Sequence, residues 1–88
     1  MRLRNRLNRV LHDRGLAEGE VAMVARLDQG HLNRIKNGRV NPTLITALRI
    51  AYALGLSVNQ LFYLEGLEGN DSDAESLGPE KVLARSRA

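Results

Sequence analysis

Hydrogen-bonding side chains crowd one short stretch of the chain, RLDQGHLNRIKNGRVNP at residues 26–42. Within its predicted helix only Leu32 and Ile35 favour a core, and their spacing of three places them on one helix face. The remaining side chains suit base edges in a DNA groove, because Gln and Asn pair with adenine and Arg pairs with guanine. An ordinary surface helix is the alternative, but Asn and His form helices poorly. The stretch therefore predicts a helix whose outward hydrogen bonds are completed by nucleic acid.

Two short helices joined by a tight turn are predicted around this stretch. The first, about 18–25, has a stripe of small apolar residues ending at Ala25, and the second, about 29–37, follows the N-cap residue Asp28 and stops at Gly38. Only Arg26, Leu27 and Asp28 separate them. Two helices so connected, with the second polar on its outer face, indicate a helix-turn-helix.

Three further helices are predicted from apolar periodicity, over 2–14, 44–54 and 58–63. Leu3 and Leu7 begin the apolar stripe of the first, while Thr43 and Ser57 have the right chemistry to cap the other two. No segment alternates at period two over a useful length, so strands are not expected. The expected fold is all-α, a compact five-helix bundle with a C-terminal tail that has a possible short extra helix after Pro79.

Charge and composition divide the chain at residue 64. Residues 1–64 carry ten Arg or Lys and four acidic residues, a net charge of +6, which favours a polyanionic partner such as DNA. Residues 65–88 carry six acidic and three basic residues, a net charge of −3, and are rich in Gly and Ser up to Pro79. We therefore expect a DNA-binding domain at 1–64 and an acidic linker with a short helix or tail at 65–88.

Other function classes find little support. With no Cys, disulfides and thiolate metal sites are excluded, and two His are too few for a structural zinc site. We expect no cofactor, no metal and no enzymatic activity. The first residues lack the apolar run of a signal peptide or a membrane span, which favours a cytoplasmic, nucleoid-associated protein.

The motifs LNRIKNGRVNPTL at 32–44 and LRIAYALGLSVNQLF at 48–62 resemble the phage-repressor-type helix-turn-helix family of lambda repressor and Cro, also named after the xenobiotic response element regulators. The resemblance covers about two-thirds of the chain, from Leu3 to Phe62. It implies five helices, the third in the major groove, and a dimer on a two-fold symmetric operator. It also implies a sequence-specific transcriptional regulator of double-stranded DNA, most often a repressor.

The same resemblance assigns roles along the predicted helix-turn-helix. The implied base contacts are Gln29, Gly30 and Arg34, and His31 and Asn33 are additional candidates. The implied DNA backbone contacts are Glu18, Lys36, Asn37, Arg39 and Asn41.

Three positions depart from the family pattern. Ala17-Glu18 replaces a common Ser-Gln, and Arg26 replaces the usual turn glycine. A carboxylate at residue 18 cannot donate to phosphate, so it would instead accept from cytosine N4 or hold Gln29 or an arginine in place. Arg26 predicts either a different turn or a strained one.

An alternative function is also compatible with the sequence. Residues 65–88 are long for a terminus and poorly suited to fold alone, so they could bind a partner protein, as in an antitoxin that binds DNA for autoregulation. They could also build the dimer.

Overall fold

A computed structural model describes residues 1–66. All of the predicted tail except residues 65 and 66, together with its possible helix, lies outside the described residues. Its elements are β1 (Arg2–Asn5), α1 (Leu7–Arg14), α2 (Glu18–Ala25), α3 (Gln29–Lys36), α4 (Leu44–Leu54), α5 (Val58–Leu61) and β2 (Phe62–Glu65). The five predicted helices are all present. The longest has 11 residues, and no helix in this part of the chain could cross a bilayer.

The ends of the described chain form a small sheet, which corrects the all-α prediction. β1 pairs antiparallel with β2, with Leu3 opposite Leu64 and Asn5 opposite Phe62. The predicted helix 2–14 therefore begins only at Leu7. Leu3 and Leu7 fit a helical repeat, but residues 2–5 also alternate in burial, and their pairing partner lies some sixty residues away, where no local pattern reveals it. For the same reason α5 ends at Leu61 rather than at 63.

One apolar core joins all five helices. Its members buried below 2 % exposure are Leu7, Leu32, Ile35, Ile50 and Leu61. Two of them, Leu32 and Ile35, come from α3, as the sequence predicts. Burying such a side chain stabilises the fold by about 1.5–3 kcal/mol. The core thus fixes which side of α3 faces outward.

Three predicted N-caps are confirmed. The Asp28 side chain accepts a hydrogen bond from the His31 N–H, and Thr43 and Ser57 make the equivalent bonds at α4 and α5. At α2 the cap residue Ala17 offers no side-chain acceptor, but the Glu20 carboxylate accepts from its backbone N–H at 2.9 Å. The ends of the helix-turn-helix are therefore defined locally.

The turn between α2 and α3 holds Arg26 in the left-handed region, at φ 59° and ψ 48°. Among residues 1–66 it is the sole non-glycine with positive φ. The adjacent Leu27 N–H donates to the Ala22 carbonyl at 2.8 Å and closes the turn. The turn therefore keeps the geometry that glycine usually provides, with strain at Arg26.

Replacing Arg26 with glycine should stabilise the protein by roughly 0.5–1 kcal/mol, because relief of left-handed strain exceeds the added freedom of the unfolded chain. Urea unfolding measures the change. Gly55→Ala is the matched control of opposite sign, since φ is +67° there and a Cβ would meet no atom within 4 Å. A destabilised Arg26→Gly variant would show that the arginine side chain contributes more than its backbone strain costs.

Candidate nucleic-acid interface

The outward side of α3 carries the predicted base-reading residues. Leu32 and Ile35, each 1 % exposed, face the core, and this leaves Gln29, Gly30 and Arg34 on the solvent side. His31 is half-buried at the helix flank, and its backbone N–H is bound to the Asp28 cap. Gln29, Gly30 and Arg34 are thus exposed, whereas His31 is partly covered.

A polar hollow collects six of the ten predicted site residues on one surface. It is lined by Glu18, Gln29, Gly30, Asn33, Arg34 and Arg39. The absence of a side chain at Gly30 shapes this hollow, since a Cβ there would lie 3.0 Å from an Asp28 carboxylate oxygen and 3.5 Å from Arg34 Nη1. Glycine therefore avoids a tight contact with the Asp28 carboxylate that caps α3, while a Cβ would meet the Arg34 guanidinium only at ordinary van der Waals distance.

Beside the hollow, Glu18, Asn33 and Lys36 form what we call the Glu18 cluster. Glu18 is the first residue of α2, and its carboxylate is ion-paired with the Lys36 ammonium. Asn33 Nδ2 donates to the two carboxylate oxygens at 3.3 and 3.2 Å. The side chains of Glu18 and Lys36 are only 15 % and 19 % exposed. The carboxylate and the ammonium therefore already have a partner within the protein, whereas DNA was the partner expected from the sequence.

Electrostatics in the Glu18 cluster favour the charged carboxylate. The hydrogen-bonded Lys36 ammonium, followed by the Asn33 and Gln29 amides, holds the pKa of Glu18 below its usual range despite the opposing effect of burial. A lowered pKa in the folded state means that the cluster's stabilisation is present above the unfolded pKa. That stabilisation is lost as the pH falls through the folded value. At neutral pH the cluster therefore holds a compensated pair of opposite charges.

The segment after α3 presents two more predicted residues to solvent. Arg39 and Asn41 are exposed, and the Arg39 N–H donates to the Arg34 carbonyl at 2.8 Å, which ties the loop to the helix end. Asn37 is also exposed, but its Nδ2 donates to Asn33 Oδ1 at 3.2 Å. Among the predicted backbone contacts, Arg39 is the one with an exposed cationic side chain.

Asn5 supports the site, although no role there was predicted for it. Its Nδ2 donates to the Ile35 carbonyl at 3.0 Å, while its Oδ1 accepts from the Leu7 N–H at 3.0 Å. One side chain thus joins the end of β1, the start of α1 and the last turn of α3. An asparagine two residues before a helix could have predicted the bond to the Leu7 N–H, because Asn side chains often bond the backbone two residues further along.

Residues 1–66 hold no group of three His, Cys, Asp or Glu side chains that could bind a metal ion. The described surface instead combines exposed amide and guanidinium groups on a helix fixed by its apolar side. This is the arrangement that a helix-turn-helix presents to a groove.

Comparison with known proteins agrees with this geometry. The chain is 35 % identical over 68 residues to the HTH-type transcriptional regulator DdrOP3 of Deinococcus deserti, a match covering 77 % of this chain and 51 % of that protein. It is 39 % identical over 49 residues to the uncharacterized HTH-type transcriptional regulator y4dJ of Sinorhizobium fredii, covering 56 % and 64 %. The chain therefore spans less than two-thirds of the length of these curated relatives.

A solved structure shows the same fold. The restriction-modification controller protein C.AhdI from Aeromonas hydrophila superposes with a TM-score of 0.60 at 25 % identity, over 62 % of this chain and 83 % of that one. A profile of the helix-turn-helix family matches residues 7–61, which begin and end with α1 and α5. The chain belongs to the Cro/C1-type helix-turn-helix family of DNA-binding transcriptional regulators.

Proposed function

We propose that this protein is a sequence-specific transcriptional repressor that binds double-stranded DNA as a dimer on a two-fold symmetric operator. The observation that carries the proposal is the placement of Gln29 and Arg34 on the exposed side of α3, opposite the buried pair Leu32 and Ile35. In the major groove, Arg34 would bind guanine and Gln29 would bind adenine. Such a regulator acts in the cytoplasm, on the nucleoid.

Phosphate contacts in this proposal come mainly from the loop after α3. Arg39 and Asn41 are exposed there. Gly38, at φ 75°, adopts the left-handed conformation that ends the helix and begins this loop. Phosphate contacts fix register and supply salt-dependent affinity, whereas base contacts select the sequence. We therefore assign affinity to the Arg39 loop and specificity to the exposed side of α3.

Selection from a pool of random duplexes, followed by sequencing, tests DNA recognition directly. An enriched site with two-fold symmetry and half-sites about one helical turn apart supports the proposal. A pool that stays unenriched at low ionic strength would contradict it. A reporter whose promoter overlaps the selected site then tests the direction of regulation, since repression requires expression to fall when the protein is present.

The proposed dimer needs a self-complementary surface, and α4 offers one. Four large apolar side chains on it are 51–83 % exposed, namely Leu44, Ile45, Leu48 and Tyr52. We call these the apolar face of α4. It bears no acidic side chain, and a groove at its edge is lined mainly by apolar atoms. A second copy presents the same apolar residues in return, as an isologous interface requires, so a second copy is the occupant we propose.

Leu48→Asp should convert the dimer to a monomer, because a charge would be buried without a partner at the centre of the apolar face of α4. Sedimentation velocity over a concentration series measures the shift in association. Met23→Asp is the matched control, since Met23 is an exposed apolar residue on α2. If Leu48→Asp associates as the wild type does, the dimer uses another surface.

As an alternative function, we propose that residues 65–88 bind a partner protein. Any truncation that tests it should end at Gly66, because β2 includes residue 65 and pairs with β1. Loss of a co-purifying protein on that truncation would favour an antitoxin-type role. A dimer that persists after truncation would exclude the tail from dimerisation.

A further inference from the structure

The Glu18 cluster places two predicted DNA contacts against α2. Asn33 and Lys36 are three residues apart and so lie on the same flank of α3. That flank faces the start of α2, where one carboxylate binds both side chains. The two side chains are therefore directed toward a partner within the protein. Arg34, by contrast, is exposed, and Gln29 is exposed although its amide also bonds Glu18.

The ion pair changes what Lys36 can do at a DNA surface. A phosphate would have to compete for the ammonium with a carboxylate that is already in contact and largely shielded from water. Breaking a partly buried pair leaves an uncompensated charge, which is costly. The Glu18 carboxylate would also repel a phosphate that approached the same position. Lys36 thus adds little to the positive field that draws DNA to this surface.

Asn33 is restricted in a similar way. Its Nδ2 is bound to the carboxylate, and its Oδ1 accepts from Asn37 at 3.2 Å. Bidentate pairing with adenine needs both ends of the amide at once. In the observed arrangement each end already makes a hydrogen bond within the protein, so pairing with adenine would have to compete with both bonds.

We propose that Glu18 is a specificity-determining positioning residue, which holds Asn33 and Lys36 against α2 and thereby leaves base reading to Gln29 and Arg34. This inference rests on the proposed function, in which α3 enters the major groove. It removes one positive charge per protomer from sequence-independent binding while leaving the exposed base-reading groups in place. The ratio of specific to non-specific affinity rises as a result.

A double-mutant cycle on the full-length protein tests the proposal, with the salt dependence of duplex binding as the readout. As a single substitution, with Glu18 retained, Lys36→Gln should leave the slope of log K against log salt unchanged. Glu18→Gln should steepen that slope by about 0.9 per protomer, because Lys36 becomes available to phosphate. Adding Lys36→Gln to Glu18→Gln should abolish the increase.

Base preference provides a second readout. Random-duplex selection with Glu18→Ala combined with Asn37→Ala should show one additional preferred adenine, because both ends of the Asn33 amide have then lost their partners within the protein. Thermal unfolding of each variant is measured first. Binding is then compared at a temperature at which every variant is folded. A Glu18 that only stabilises the α2–α3 packing would lower the unfolding temperature and leave both the slope and the selected site as they are.

Glu20→Gln is the matched control. It removes the same charge from the same turn of α2, but the Glu20 carboxylate binds the Ala17 N–H within that turn. Its slope should equal that of the wild type. The proposal is overturned if Lys36→Gln alone lowers the slope by about 0.9, or if Glu20→Gln matches Glu18→Gln. Wild-type protein that binds no duplex would instead refute the proposed function, and this inference with it.

Discussion

Leu32→Ala should destabilise the protein by about 2–5 kcal/mol, the largest effect that we expect from a single truncation on α3. Leu32 is 1 % exposed and lies in the core that fixes α3 to the rest of the bundle. Removing three buried carbons loses their transfer free energy and leaves a cavity. Since small domains are marginally stable, much of the population would unfold near physiological temperature.

Urea and thermal unfolding measure this effect, and each kcal/mol should lower the Tm by about 4–8 °C in a domain of this size. Val24→Ala on α2 is the control, because it also shortens an aliphatic side chain but at an exposed position. It should change the free energy of unfolding by less than about 0.5 kcal/mol. Equal losses in the two variants would mean that α3 is not held by its apolar side.

Arg34→Ala should weaken binding to the selected operator by about 1–3 kcal/mol, or roughly 5- to 160-fold in Kd. The guanidinium lies on the exposed side of α3 beside Gly30, where a bidentate contact to guanine can form. Loss of that contact should also relax selection at one base pair of each half-site. Fluorescence anisotropy and a repeated duplex selection measure the two effects.

Arg9→Ala is the control for charge alone. Arg9 is exposed on α1 and lies 3.8 Å from the Asp13 carboxylate, so its removal also subtracts one positive charge from the surface. We expect it to leave the selected sequence unchanged and to alter affinity only slightly. If Arg34→Ala binds all duplexes as the wild type does, Arg34 is not the base-reading residue.

Local sequence features were enough to predict the helix-turn-helix. Asp28 is a residue type that caps helices, Gly38 suits a helix end, and the pair Leu32 and Ile35 identifies the inward side of α3. These signals act within one or two turns of helix, so they do not depend on the rest of the fold. Of the two alternatives that the sequence left open at Arg26, a different turn or a strained one, its positive φ supports the strained one.

The missed features all depend on residues far apart in the chain. The pairing of β1 with β2 joins residues 2–5 to residues 62–65, and the helical repeat that includes Leu3 obscured it. The bond of Asn33 to Glu18 spans fifteen residues and requires the packing of α3 against α2. Judged by residue type alone, Asn33 and Lys36 were good candidates for DNA contacts. Only the folded structure shows that the Asn33 amide and the Lys36 ammonium are already bound to Glu18.

The sheet that joins the two ends of the described chain has a consequence for the order of folding. Nearly sixty residues must be ordered before β1 and β2 can meet, whereas each helix forms from neighbours in sequence, so we expect the strands to pair last. Because Asn5 at the end of β1 also bonds the Ile35 carbonyl, opening of the sheet would loosen the last turn of α3. In a ribosome-bound chain whose residue 65 has not yet left the exit tunnel, we therefore expect the C-terminal end of α3 to be frayed.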